Sequence, residues 1–229
     1  MKKFLFICSL GVIVAITSLG LGGNIIKQNI SSKSADNKGI INSNIDNNTS
    51  ISIVKTTANI TKLYDTVDKL KLDADIIIEG EVLDLSYFDR KEATFTKSLI
   101  KVTRSYNGNA KAGDIINLVE AGGITTQDAI NKYSHYEEKF GKLSNTEREE
   151  AKVKKVKVEF DIATTVQKGE EIFLFAKNEK DFFGEDVYFP LGTYQGKFLI
   201  KDTKLERNFS EEIDPLKLIK ADMEKKLQP

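Results

Sequence analysis

The sequence predicts a mainly β protein: an OB-like β-barrel of five or more strands, with flanking α-helices and a helical insertion between the third and fourth strands. Three observations carry this expectation. Short runs rich in β-branched and aromatic residues recur between residues 74 and 202, separated by turn chemistry such as Asn107-Gly108 and Gly113-Asp114. One run changes hydrophobic phase midway, as strands that bend to close a small barrel must. A single interval, 124–152, drops alternation for helical spacing.

The elements follow in order. Lys2 and Lys3 precede an apolar stretch from Phe4 to Leu21 and then small residues, the layout of a secretory signal over 1–23. The stretch approaches the roughly 20 residues that span a bilayer. Two outcomes stay open: cleavage near Ser18, Gly20 and Gly22, or retention as a membrane anchor. Asn24 to Ser50 is rich in Asn and Ser and has no aromatic residue, so 24–58 reads as a disordered tether. The folded domain spans 59–209. It opens on an amphipathic helix, with Ile60, Leu63, Tyr64, Val67 and Leu70 on one stripe.

Strands come next. Ile76, Ile78, Gly80 and Val82 share one face, after which the apolar set moves to Leu83, Leu85 and Tyr87, which requires a bulge near Gly80 to Leu83. Thr94 to Tyr106 gives the second strand and Ile115 to Glu120 the third, ending at Gly122-Gly123. That glycine pair lacks the Gly-x4-Gly-Lys-Ser/Thr spacing of a phosphate loop and reads as a strand exit. In the insertion, Ala129, Ile130, Tyr133, Tyr136 and Phe140 form an apolar stripe ended by Gly141, with Ser144 or Asn145 capping a further turn. Val156, Val158, Phe160 and Ile162 then alternate with charged residues as the next strand. Short strands at Glu170 to Lys177, Asp186 to Gly192 and Gly196 to Asp202 complete the set. Over 210–229, Asp214 at N-cap and Pro215 at N1 start a C-terminal helix whose stripe is Leu216, Ile219, Met223 and Leu227.

The runs "DADIIIEGEV", "IKVTRSYNG", "AGDIINLVEAGG", "QKGEEIFLFAK" and "YQGKF" resemble a family of exported bacterial proteins of uncharacterised role. More distantly they are similar to the OB-like barrel of netrin-module and tissue-metalloprotease-inhibitor domains. The resemblance covers Asp73 to Asp202 and implies the barrel. It does not carry over the inhibitors' protease contact, which uses an N-terminal cysteine that no residue here matches.

Composition narrows the function classes. Lys and Arg balance Asp and Glu at 34 each, so no global field draws the chain to nucleic acid. The charged run Glu147 to Asp161 carries acids and bases in equal number, so it forms no basic groove. The one cysteine, Cys8, sits in the apolar N-terminal run, and the one histidine, His135, has no triad or zinc spacing around it. Glu179, Asp181, Glu185 and Asp186 surround a glycine turn without the register of a calcium loop. No catalytic residue, metal site or cofactor is therefore expected, and membrane contact only through 1–23. The expected function is a non-enzymatic surface or secreted binding module whose insertion meets a protein, peptide or glycan through Tyr133, His135, Tyr136 and Phe140. The alternative is an exported hydrolase or protease-inhibitor-like protein.

Overall fold

The computed structural model describes residues 51–57, 62–160, 164–207, 216 and 218–228. The expectations for the export segment, for the tether up to residue 50, and for Asp214 and Pro215 as a helix start lie outside these residues.

The chain is mainly β. Its central feature is a closed path of five strands. The bulged hairpin β2 (Ile76–Arg90) and β3 (Ala93–Asn107) pairs on one side with β4 (Ile115–Ala121) and on the other with β7 (Glu171–Asn178). The short strand β8 (Tyr188–Pro190) pairs antiparallel with β7 and meets β4 in parallel at Leu118 opposite Tyr188, so the hydrogen bonding returns to its start. From β7 the sheet also extends outward through β9 (Lys197–Lys201), β10 (Lys204–Glu206) and β11 (Leu218–Ile219).

The bend read from the phase change is present: the β2–β3 register shifts between Ile77 and Ile78, between Glu79 and Gly80, and between Val82 and Asp84. Gly80 is needed there, because a Cβ would lie 2.5 Å from Ile100 Cγ2. Alternation sorts side chains about the ring. Ile76, Ile78, Val82, Ile100, Val102, Ile116, Leu118, Ile172, Leu174 and Leu199 fill its interior as one buried cluster. On the outer face Ile77, Phe173, Phe175 and Phe198 form a second cluster under α1 (Val67–Asp73) and α5 (Lys220–Leu227). Thr66 caps α1 by accepting from the Lys69 N–H, and Val67 and Leu70 bury its inner face.

Two helix expectations shift. The first helix starts at Val67, with Tyr64 buried ahead of it and Leu63 exposed. The C-terminal helix starts at Lys220, because Leu218 and Ile219 are taken up by pairing with Leu205 and Lys204. Of its stripe, Met223 is fully buried, and Leu216 and Leu227 pack beside it.

The larger correction concerns the strand after the insertion. Lys155–Phe160 (β6), expected as the fourth barrel strand, does not join the ring. It forms a separate three-stranded sheet, antiparallel to β5 (Gly123–Thr126) and parallel to β1 (Ser52–Thr56). Ser52–Thr56, read as tether, is thus a strand. Ile124–Thr126, read as the start of the helical insertion, is a strand as well. The glycine pair explains the switch of sheets. Gly122 has φ +97 and donates its N–H to Thr94 O at 2.8 Å, while Gly123 has φ +140 with Thr96 Oγ1 and Tyr87 Cδ1 at 2.7 and 2.8 Å from where a Cβ would sit. Only a bare backbone turns off β4 in that space.

Among the described residues one ion pair lies inside this ring. Glu120 shares a strand face with Ile116 and Leu118, and Lys197 shares one with Leu199, so both point into the ring interior. They pair with side chains only 4% and 3% exposed. The second carboxylate oxygen accepts the Val166 N–H at 3.0 Å, and the ammonium also donates to Thr164 O at 2.8 Å. Removing one charge leaves the other buried and unmatched. Lys197→Met is expected to cost about 3–5 kcal/mol, and the double variant Glu120→Leu/Lys197→Met to cost less than that single change. Urea unfolding of the three proteins reads the difference.

Candidate functional site

The small sheet and the ring do not close on each other completely. Between them lies a cleft of about 500 Å³, counting the space open to solvent. Val54 and Thr56 of β1, Val158 and Phe160 of β6, Ala93 and Phe95 of β3, and Ile130 and Tyr133 line it, with Glu92 at the hairpin tip. Ile130 and Tyr133 belong to α2 (Gln127–Tyr133), three residues apart and therefore neighbours on the helix surface. The helix is fixed at its start. The Thr126 hydroxyl accepts the Ala129 N–H at 3.3 Å, and the Gln127 N–H donates to Lys154 O at 2.9 Å. The helix α4 (Asn145–Val153) packs beside it, opened by a Ser144–Glu147 capping box, so that of the two caps read from the sequence, Ser144 or Asn145, it is Ser144 that serves.

The polar end of the cleft is organised by Asp89. Its carboxylate accepts hydrogen bonds from Thr94 Oγ1 at 2.8 Å, from Thr125 Oγ1 at 2.7 Å and from the Tyr133 hydroxyl. Hydroxyls from β3, β5 and α2 therefore converge on one carboxylate, tying the hairpin tip to the small sheet. Burial pushes the Tyr133 phenol up to about 12, helped by the Asp89 charge and hydrogen bond and by the charge of Glu92. Thr56, 5% exposed on the β1 wall, carries a buried hydroxyl without a hydrogen-bond partner among the described residues. The tip itself is strained: Lys91 and Glu92 occupy the two turn positions at φ +46 and +61, a conformation that suits Asn and Gly.

The four residues selected from sequence do not form one site. Tyr133 faces the cleft. His135 sits at φ +49, breaking the expected single helix into α2 and α3 (Tyr136–Phe140), and its Nδ1 lies 3.6 Å from Glu138 Oε2 on the surface. Tyr136 and Phe140 do not line the cleft; their rings meet each other at 5.1 Å and are 36% and 58% exposed. Sequence reasoning missed Val54, Thr56, Asp89 and Glu92. The β-branched run Ser52 to Thr56 carried a strand signal that the tether assignment overrode. Neither central residue of the hairpin tip, Lys91 or Glu92, is one that marks such a turn in a sequence.

Buried carboxylates elsewhere are engaged by cations. Glu79 accepts from the Tyr106 hydroxyl and pairs with Lys220, while Glu224, 3.4 Å from the same hydroxyl, pairs with Arg104 at 3.0 Å. Burial, then the Glu79 hydrogen bond, holds the Tyr106 phenol well above its usual range. In the acidic turn Glu185 pairs with Lys97 and Asp186 with Lys180, and burial raises Glu179. Among the described residues no three His, Cys, Asp or Glu side chains are grouped to hold a metal ion, and no helix is long and apolar enough to cross a membrane. No protein-family model matches the chain, and the curated proteins yield no match either.

Two outcomes test this geometry. Replacing the strained tip by Lys91→Asn/Glu92→Gly is expected to raise unfolding stability by about 1 kcal/mol, read by urea titration. The raised Tyr133 phenol means that the fold favours its neutral form. That contribution is complete below the ordinary phenol value of 10.0 and is lost as pH rises through about 12. Tyr133→Phe should therefore flatten the alkaline decline of the urea midpoint relative to the parent protein.

Proposed function

We propose that this protein is an exported, non-enzymatic binding module: an OB-like barrel, secreted or held at the outer face of the membrane, whose helical excursion captures a protein, peptide or glycan partner. One observation supports it most, the exposed aromatic pair Tyr136 and Phe140 on α3. All five residues of that helix are exposed, so its aromatic surface adds nothing to the core. Aromatic side chains of this kind provide large contact area at little ordering cost and recur as anchors at interfaces. The excursion leaves and re-enters through β5 and β6, a rigid base on which a recognition surface keeps its position.

The experiment is a crosslinking pull-down from the surface of producing cells. Tyr136→Ser/Phe140→Ser should abolish partner capture while shifting unfolding stability by no more than about 0.5 kcal/mol, as for other exposed substitutions. Undiminished capture by the double variant overturns the proposal. Fractionation of the same cells reads the export half, and a full-length cytoplasmic product would contradict it.

A further inference from the structure

We propose that the cleft between the small sheet and the ring receives one lysine side chain of an extended peptide partner. This rests on the binding-module reading and names what that module recognises. The walls come first. Val54, Ala93, Phe95, Ile130, Val158 and Phe160 suit an alkyl stem, and the cleft is narrow and open to solvent, so that a single unbranched side chain is what it can admit.

Charge then selects among stems. Among the described residues Glu92 is the one charged residue lining the cleft, and its charge and that of Asp89 both act on the Tyr133 hydroxyl, so the polar end is negative. The neighbouring cations do not cancel it from within. Arg90 and Lys91 lie over the Phe182 ring, at 5.7 and 4.5 Å from its centre, and neither lines the cleft. A lysine has an apolar stem that ends in a compact cation, so the stem can lie on the apolar walls while the ammonium meets the exposed Glu92 carboxylate at the edge of the cleft.

Two independent features agree. Glu92 stands at φ +61, where glycine would be more stable, so the fold carries backbone strain at the position that supplies the charge. The buried Thr56 hydroxyl on the wall has no hydrogen-bond partner among the described residues. An extended peptide rather than a free amine follows from β1. Among the described residues this strand pairs only with β6, leaving its other edge to accept a further strand. Side chains on the cleft face of an added strand would lie beside Val54 and Thr56.

The test uses three capped pentapeptides that differ only at the central residue, Lys, norleucine or Glu, titrated calorimetrically into the full chain purified from producing cells. The Lys peptide should bind about tenfold more tightly than the norleucine peptide, with the Glu peptide weakest. Glu92→Gln should erase the gap between Lys and norleucine; Glu92 is exposed in a turn, so this variant tests recognition without disturbing the core. Val158→Phe, which fills the cleft, should abolish Lys binding with the unfolding midpoint preserved, and Ile130→Phe replaces it if that variant does not fold. Norleucine binding as tight as Lys, no binding at millimolar peptide, or Lys binding unchanged in a filled cleft overturns the proposal. These titrations involve no cellular partner and leave Tyr136 and Phe140 untouched, so their failure is distinct from a failed capture.

Discussion

The buried pair of Glu120 and Lys197 sets the terms for one end of the ring. Both residues emerge from strand positions that otherwise hold Leu118 and Leu199, so alternation alone forces them inward. Charges there are tolerable only as a matched couple with further hydrogen bonds, and the Val166 N–H and the Thr164 carbonyl each provide one. The couple links β4 to β9 across strands that are not neighbours in the sheet, and it also fixes the segment 164–166 that leads into β7. Hydrophobic contacts among Ile, Leu and Val would accept several registers of these strands; a single lysine with a single glutamate accepts one.

The next residues along β4 show why this matters beyond stability. Ala121 follows the glutamate, and Gly122 and Gly123 take the chain off the ring. With Glu120 fixed, the departure point is fixed, and so is the place where β5 lays down the small sheet. The cleft is the space left between two sheets that one continuous chain is obliged to build side by side. Asp89 then holds the gap to a set width by gathering hydroxyls from both sheets and from α2.

Much of the ring was legible in the sequence because its signals are local. The phase change in Ile76 to Tyr87 and the Asn107-Gly108 and Gly113-Asp114 turns each translate directly into observed geometry. Partner choice between strands was not local. Nothing in the alternation of Val156, Val158 and Phe160 says whether the strand joins the ring or a second sheet, since either burial gives the same pattern. The candidate site suffered more. Tyr133, Tyr136 and Phe140 share a helical stripe only if the helix is continuous, and the left-handed backbone at His135 rotates the second half away. Val54 and Glu92 lie nearly forty residues apart and are brought together only by the sheet arrangement.

The attachment of β1 has a mechanical side. Ser52–Thr56 is held to the rest of the molecule through β6, with Val54 and Thr56 forming one wall of the cleft. Any tension applied to the chain ahead of Ser52 therefore arrives at this strand before it reaches the ring. Because β1 belongs to the smaller sheet and the ring closes without it, peeling it away is a local event, at the low-stability end of the molecule's openings. Pulling would remove one wall of the cleft and leave the ring folded, so that force on the leading segment is felt at the cleft first.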